Sequence, residues 1–119
     1  MRHPRLYDPD YLAKVRQLPC LCCLDNVSVE AAHVRYSDSR VAKVSPGIGQ
    51  KPDDKWAVPL CGDHHREQHS IRNERRFWER HNIDPILIAL ALYSSRDMEE
   101  AEQIVRAQHP AISNIMAAG

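Results

Sequence analysis

Trp56-Ala57-Val58-Pro59-Leu60-Cys61-Gly62-Asp63-His64-His65-Arg66-Glu67-Gln68-His69 is the stretch that decides the fold. Lys55 to Leu60 reads as a β-strand, with Pro59 at an edge or strand end. Gly62 and Asp63 mark a turn into a helix that runs to about His69, with Asp63 the candidate N-cap. Cys61 and His64 fall at the junction as a C-x-x-H pair. Two intervening residues let both side chains converge on one ion.

A matching pair lies upstream. Cys20-Leu21-Cys22-Cys23 contains a C-x-x-C in a tight turn. Together the two knuckles offer four soft ligands, Cys20, Cys23, Cys61 and His64, enough for a closed tetrahedral zinc. Cys22 competes with Cys20 or Cys23, and spacing favours the 20/23 pair. Three of the four cysteines crowd into four positions, a poor disulfide framework. Buried, unliganded cysteines are the plainer alternative.

His65 and His69 follow directly. Residues four apart share a helix face, so both imidazoles can grip one further ion. Val27 to Tyr36 reads as another strand. Alternation puts Ala31, His33 and Arg35 on one face and Ala32 and Val34 on the other, which suggests a polar cleft at His33. A hydrogen-bonded surface histidine is the bland reading.

Helices flank this centre. Asp8 or Asp10 caps a helix through about Leu18, with Pro9 in its first turn and Leu12, Val15 and Leu18 as its apolar stripe. Residues 1–7 read as an irregular arm. Ser37 to Asp54 is a long loop. Helices are expected over Asn73 to His81, from Asp84 onward with Ile86, Leu87, Leu90 and Ala91 apolar, and from Met98 to Gln108 behind Asp97.

The chain has 119 residues, the size of one domain. Only 6% are aromatic, so the core is modest and a metal staple is useful. Net charge is zero. Residues 33–82 carry ten Lys/Arg against seven Asp/Glu, and residues 83–119 two against five. A basic centre beside an acidic tail fits a polyanion partner. On charge alone a mixed solvated surface fits equally. Met1 is followed by Arg2-His3-Pro4 with no apolar signal segment, and the longest apolar run, Ile86 to Tyr93, is eight residues. A cytoplasmic, reducing location without membrane insertion is expected.

These residues resemble the HNH (ββα-metal) nucleases. The order is C-x-x-C, then Ala32-His33-Val34, a Gly/Pro loop, then W-A-V-P-L-C-x-x-H-H-x-x-x-H. The likeness is closest to the phage- and prophage-associated group that includes the recombinase-dependent phage nuclease. Residues 47–56 look like that group's loop, and so do Phe77-Trp78 and Asn82-Ile83-Asp84. The resemblance covers about residues 18–84.

It implies an α+β fold: a small ββα-metal core with a zinc knuckle, flanked by N-terminal and C-terminal helices. The expected organisation is one domain over 1–119, with the core at 18–84 and a helical extension at 85–119. It further implies an endonuclease hydrolysing phosphodiester bonds, in DNA in the first instance. His33 matches the general base, and Cys20, Cys23, Cys61 and His64 match a structural Zn²⁺. His65 and His69 match ligands of a catalytic Mg²⁺, Mn²⁺ or Zn²⁺. Many members carry Asp or His before the base and Asn five residues before the second-knuckle Cys; here Ala32 and Trp56 stand there. The third catalytic ligand is therefore open among His33, Asp53 and Asp54.

In that reading Arg35 neutralises a phosphate oxygen, and Lys51, Lys55, Arg66 and Arg72 contact the nucleic-acid backbone. Trp56 and Trp78 are core residues before they are base-stacking ones. Ile86 to Leu92 is core or a homodimer surface, and a recombination protein is the implied partner. The competing readings are a non-catalytic zinc-stabilised nucleic-acid-binding module and a degenerate relative that binds a partner through its C-terminal helices.

Overall fold

The computed structural model describes residues 5–44 and 51–108. Residues 45–50, which hold both glycines of the expected loop, lie outside them, as do 1–4 and 109–119. Helix α1 spans Pro9–Val15. Asp8 caps it by accepting from the Tyr11 N–H, and Pro9 fills the first position, where no donor is needed. Tyr11, Val15 and Leu18 are buried. The helix ends at Val15 and not at Leu18, because the Leu18 N–H turns back to the Val15 carbonyl ahead of Pro19.

The first knuckle follows. The Cys20 N–H donates to the Asp25 carbonyl at 2.8 Å and the Leu24 N–H to the Cys20 carbonyl at 2.8 Å. Leu24, at φ 62°, takes the left-handed position that closes this turn. Leu21 N–H donates to the Pro59 carbonyl, which ties the knuckle to the second strand.

Strands β1 (Val29–His33) and β2 (Ala57–Cys61) pair antiparallel, with Ala32 opposite Val58 and His33 opposite Ala57. Both are shorter than or shifted from the sequence expectation. Lys55 and Trp56 belong instead to a 3-10 turn over Asp54–Trp56. All five residues of β2 are buried, so both of its faces are covered. Helices α1 and α4 contribute to that cover.

Helix α2 (Gly62–Ser70) continues from β2 without a loop. Its N-cap is Cys61; Asp63, the expected cap, sits in the first turn, where its charge suits the helix dipole. Helix α3 (Glu74–Arg80) is capped by Asn73, and Asn82 leaves it at φ 58°. Helix α4 (Pro85–Tyr93) is capped by Asp84. Helix α5 (Met98–Gln108) has the Asp97 carboxylate accepting from the Glu100 N–H at 2.9 Å.

The protein is therefore a small mixed α+β fold with a two-stranded sheet and five α-helices among the described residues. One apolar cluster runs from Tyr11 through Leu60, Phe77 and Trp78 to Val105. Ile86, Ala89 and Leu92 of α4 sit inside it, with Ala101 and Val105 of α5. No helix of the described residues is long and apolar enough to cross a membrane.

Candidate metal centre

Where β2 runs into α2, the side chains of Cys61 and His64 meet the first knuckle. Ligand atoms of Cys20, Cys23, Cys61 and His64 all lie within 4.8 Å of one another. Cys61 Sγ is 3.2 Å and Cys20 Sγ 3.7 Å from His64 Nδ1, and Cys23 Sγ is 3.9 Å from Cys61 Sγ. A tetrahedral ion with bonds of about 2.3 Å to sulfur and about 2.0 Å to nitrogen sets ligand–ligand edges of about 3.5–3.8 Å. The observed spacings bracket those edges. This Cys₃His cluster can hold a metal ion such as zinc.

The local chemistry prepares one sulfur for that role. The Cys22 thiol and the N–H groups around the knuckle stabilise the Cys20 thiolate against burial and bring its pKa down to about 4. One of those donors, the Cys22 N–H, is 3.4 Å from Cys20 Sγ. Burial, with the neighbouring thiols, pushes Cys23 up to about 12. A cation held there would supply the charge that favours thiolate ligands. Cys22 itself lies outside the four. It forms an overlapping group with His64 and His81, and its thiol is pushed up by the bond to Cys20 and by burial.

His65 points elsewhere. It lies about 100° further round the helix than His64. Its Nδ1 is 2.6 Å from Glu30 Oε1 on β1, and its Nε2 is 3.1 Å from His69 Nε2. The i, i+4 spacing thus brings the two imidazoles together, ring nitrogen to ring nitrogen.

His33 closes β1 and faces the 3-10 turn. Its Nε2 is 2.9 Å from Asp54 Oδ1. Asp54 is buried and also accepts from Arg5 Nη2 and the Asp8 N–H, each at 2.7 Å. Burial opposes ionisation of Asp54, but the Asp8 N–H, His33 and Arg5 outweigh it and hold its pKa below the usual carboxylate value. An ionised carboxylate only accepts, so His33 Nε2 donates and Nδ1 keeps its lone pair. Burial lowers the pKa of His33, partly offset by Asp54, and so favours the neutral ring.

The family described as "Protein of unknown function (DUF968)" matches residues 1–98. The chain belongs to this family. No curated protein and no solved structure matches it.

In this DUF968 chain the three histidines expected at the catalytic centre form two separate arrangements. His33, His65 and His69 do not gather as one ligand group within 4.8 Å among the described residues. His33 is taken up by Asp54 and is not the third ligand of the His65/His69 pair. Nor is Asp54, whose oxygens already accept three donors, and Asp53 accepts from the Leu6 N–H at 2.8 Å. Ala32 is fully buried, without a donor atom to offer.

The cationic residues are dispersed. Arg35 is exposed just beyond β1, with its N–H donating to Glu74 Oε1 at 3.1 Å. Lys51 and Arg72 are exposed. Lys55 Nζ is 5.2 Å from the centre of the Trp56 ring, and Arg66 pairs with Asp63 in its own helix. Trp56 and Trp78 are both buried; Trp78 Nε1 donates to Glu74 Oε2 at 2.8 Å.

Three site residues escaped the sequence reading: Glu30, Arg5 and Gln68. Arg5 reaches Asp54 across 49 positions, a contact no local pattern signals. Gln68 ties the His33 carbonyl to Glu74 and is buried in α2. Glu30 stands in the same strand as His33, and that was the one available signal.

Proposed function

We propose that this protein is a metal-dependent endonuclease of the HNH type, hydrolysing phosphodiester bonds in DNA, with a structural zinc in the Cys₃His cluster. The observation that carries the reading is the contact between His33, half-buried at the end of the strand that precedes β2 and α2, and the buried carboxylate of Asp54 in the 3-10 turn. β2 and α2 in turn supply Cys61 and His64 to the cluster and carry the His65/His69 pair. A carboxylate that fixes one imidazole nitrogen leaves the other free to take a proton, the arrangement of an activated general base.

In this reading His33 Nδ1 removes a proton from the attacking water, and Asp54 stabilises the imidazolium that results. Arg35 neutralises a non-bridging phosphate oxygen, with Lys51, Lys55 and Arg72 along the backbone. A divalent ion held by His65 and His69 would supply Lewis-acid stabilisation of the leaving oxygen. His33 need not touch that ion; a base works in line with the scissile bond. A phage origin and a recombination partner follow only from the resemblance; a cytoplasmic location rests on the sequence's cysteine usage and self-association on the apolar run Ile86 to Leu92, and all belong to the same proposal.

Supercoiled plasmid with Mg²⁺, Mn²⁺ or Zn²⁺ tests it. Nicking by the wild type that His33→Ala and His69→Ala abolish, with folding intact, supports the enzyme. The second reading is a zinc-stabilised nucleic-acid-binding module without catalysis. It is favoured by the His65/His69 pair, with which no third residue forms a ligand group within 4.8 Å among the described residues. Salt-sensitive DNA binding with no cleavage under any of these ions selects it.

A further inference from the structure

The strand that carries the proposed base offers no ligand at position 32, yet it does send a carboxylate to the second histidine pair. Glu30 shares a face of β1 with Ala32, two residues away. Its Oε1 lies 2.6 Å from His65 Nδ1, on the side of the ring opposite His69. Glu30 Oε2 would lie 3.6 Å from a Cβ built on Gly62, so the carboxylate sits close to the first turn of α2.

We propose that Glu30 is a positioning residue for a divalent-metal site at His65 and His69. The proposal rests on the reading above that those histidines hold the ion. A carboxylate at Nδ1 accepts a hydrogen bond from its N–H, which fixes His65 in one tautomer and leaves the Nε2 lone pair pointing at His69. Two ring nitrogens 3.1 Å apart repel unless a proton or a cation lies between them. That spacing matches the edge of a coordination sphere with metal–nitrogen bonds of about 2.1 Å. Glu30 also adds negative charge next to the ion without occupying a coordination position. The open positions are left to water and to a phosphate oxygen.

The test is Mn²⁺ binding to the zinc-loaded protein, followed by electron paramagnetic resonance, because Mn²⁺ does not favour the thiolate cluster. Wild type is expected to bind one Mn²⁺. Glu30→Ala should weaken binding about 10- to 100-fold with zinc content and circular dichroism unchanged. Glu30→Gln, which keeps an acceptor and loses the charge, should fall between. Glu30→Ala combined with His65→Ala should bind no more weakly than His65→Ala alone, because Glu30 acts through His65. Wild-type affinity in Glu30→Ala overturns the proposal, and so does a wild type that binds no Mn²⁺. Mn²⁺ binding that depends on Glu30, in a protein that cleaves nothing, supports it while removing the nuclease reading.

Discussion

Asp54 Oδ1 accepts from His33 Nε2 across 2.9 Å, and the same carboxylate holds Arg5 and the Asp8 N–H. One buried group therefore fastens the N-terminal arm, the 3-10 turn and the end of β1. Asp54→Ala leaves the guanidinium and an N–H without their partner. A loss of about 3 kcal/mol is expected in urea unfolding; a midpoint within error of wild type would show the cluster to be dispensable.

The same pair sets a pH dependence. Burial lowers the His33 pKa below its ordinary value of about 6.5, so the neutral ring is favoured in the folded state. Its contribution to stability is complete above about pH 6.5 and falls as the pH drops through that value toward the folded pKa. Cleavage should keep its full rate to below pH 6.5 and then decline. Asp54→Asn removes a charge that favours the imidazolium, so the acid limb should move to still lower pH. An acid limb that stays where it is in Asp54→Asn argues against His33 as the base.

Stripping the sulfur cluster should unfold the domain. Cys61→Ser removes a ligand from a site whose binding free energy is also folding free energy. A loss of about 3 kcal/mol or more, or a fall of more than about 10 °C in Tm, is expected together with loss of bound zinc. Cys22→Ser, outside the four, should retain zinc and melt close to wild type. Equal behaviour of the two variants would mean the ligand set is misassigned.

His69 is exposed near the end of α2 and contributes little packing. His69→Ala should melt like wild type while plasmid nicking falls at least about 100-fold. Collapse of the fold in that variant would contradict the separation of scaffold from chemistry.

Lys51 and Arg72 are exposed, whereas Arg66 is paired with Asp63. Lys51→Ala and Arg72→Ala should each weaken DNA binding and reduce the salt slope by about one, in fluorescence anisotropy across a salt series. Arg66→Ala should change it less.

Much of the helical framework was legible in the chain. Asp8, Asn73, Asp84 and Asp97 stand where helices begin, because a short polar side chain before an apolar run has a local backbone task. The two knuckles were legible for a similar reason: their spacing encodes convergence. The ends of the strands were not. Lys55 and Trp56 have strand character, but Trp56 N–H donates back to the Asp53 carbonyl at 3.1 Å and the backbone turns. Alternation put Ala32 and Val34 on the face opposite His33, and both are buried in the structure. It was silent on Glu30 and Arg5, whose partners lie 35 and 49 positions away. The third ligand that spacing left open is not His33, which pairs with Asp54 while His65 and His69 meet each other.

His64 and His65 are neighbours in the chain with unrelated partners, one beside sulfur, the other beside Glu30. A chelator that empties the cysteine cluster would therefore unfasten the start of α2 and scatter the second pair with it. Inhibition by such a reagent reports on architecture as much as on chemistry. Only a weak chelator, which spares thiolate-bound zinc, would separate the two.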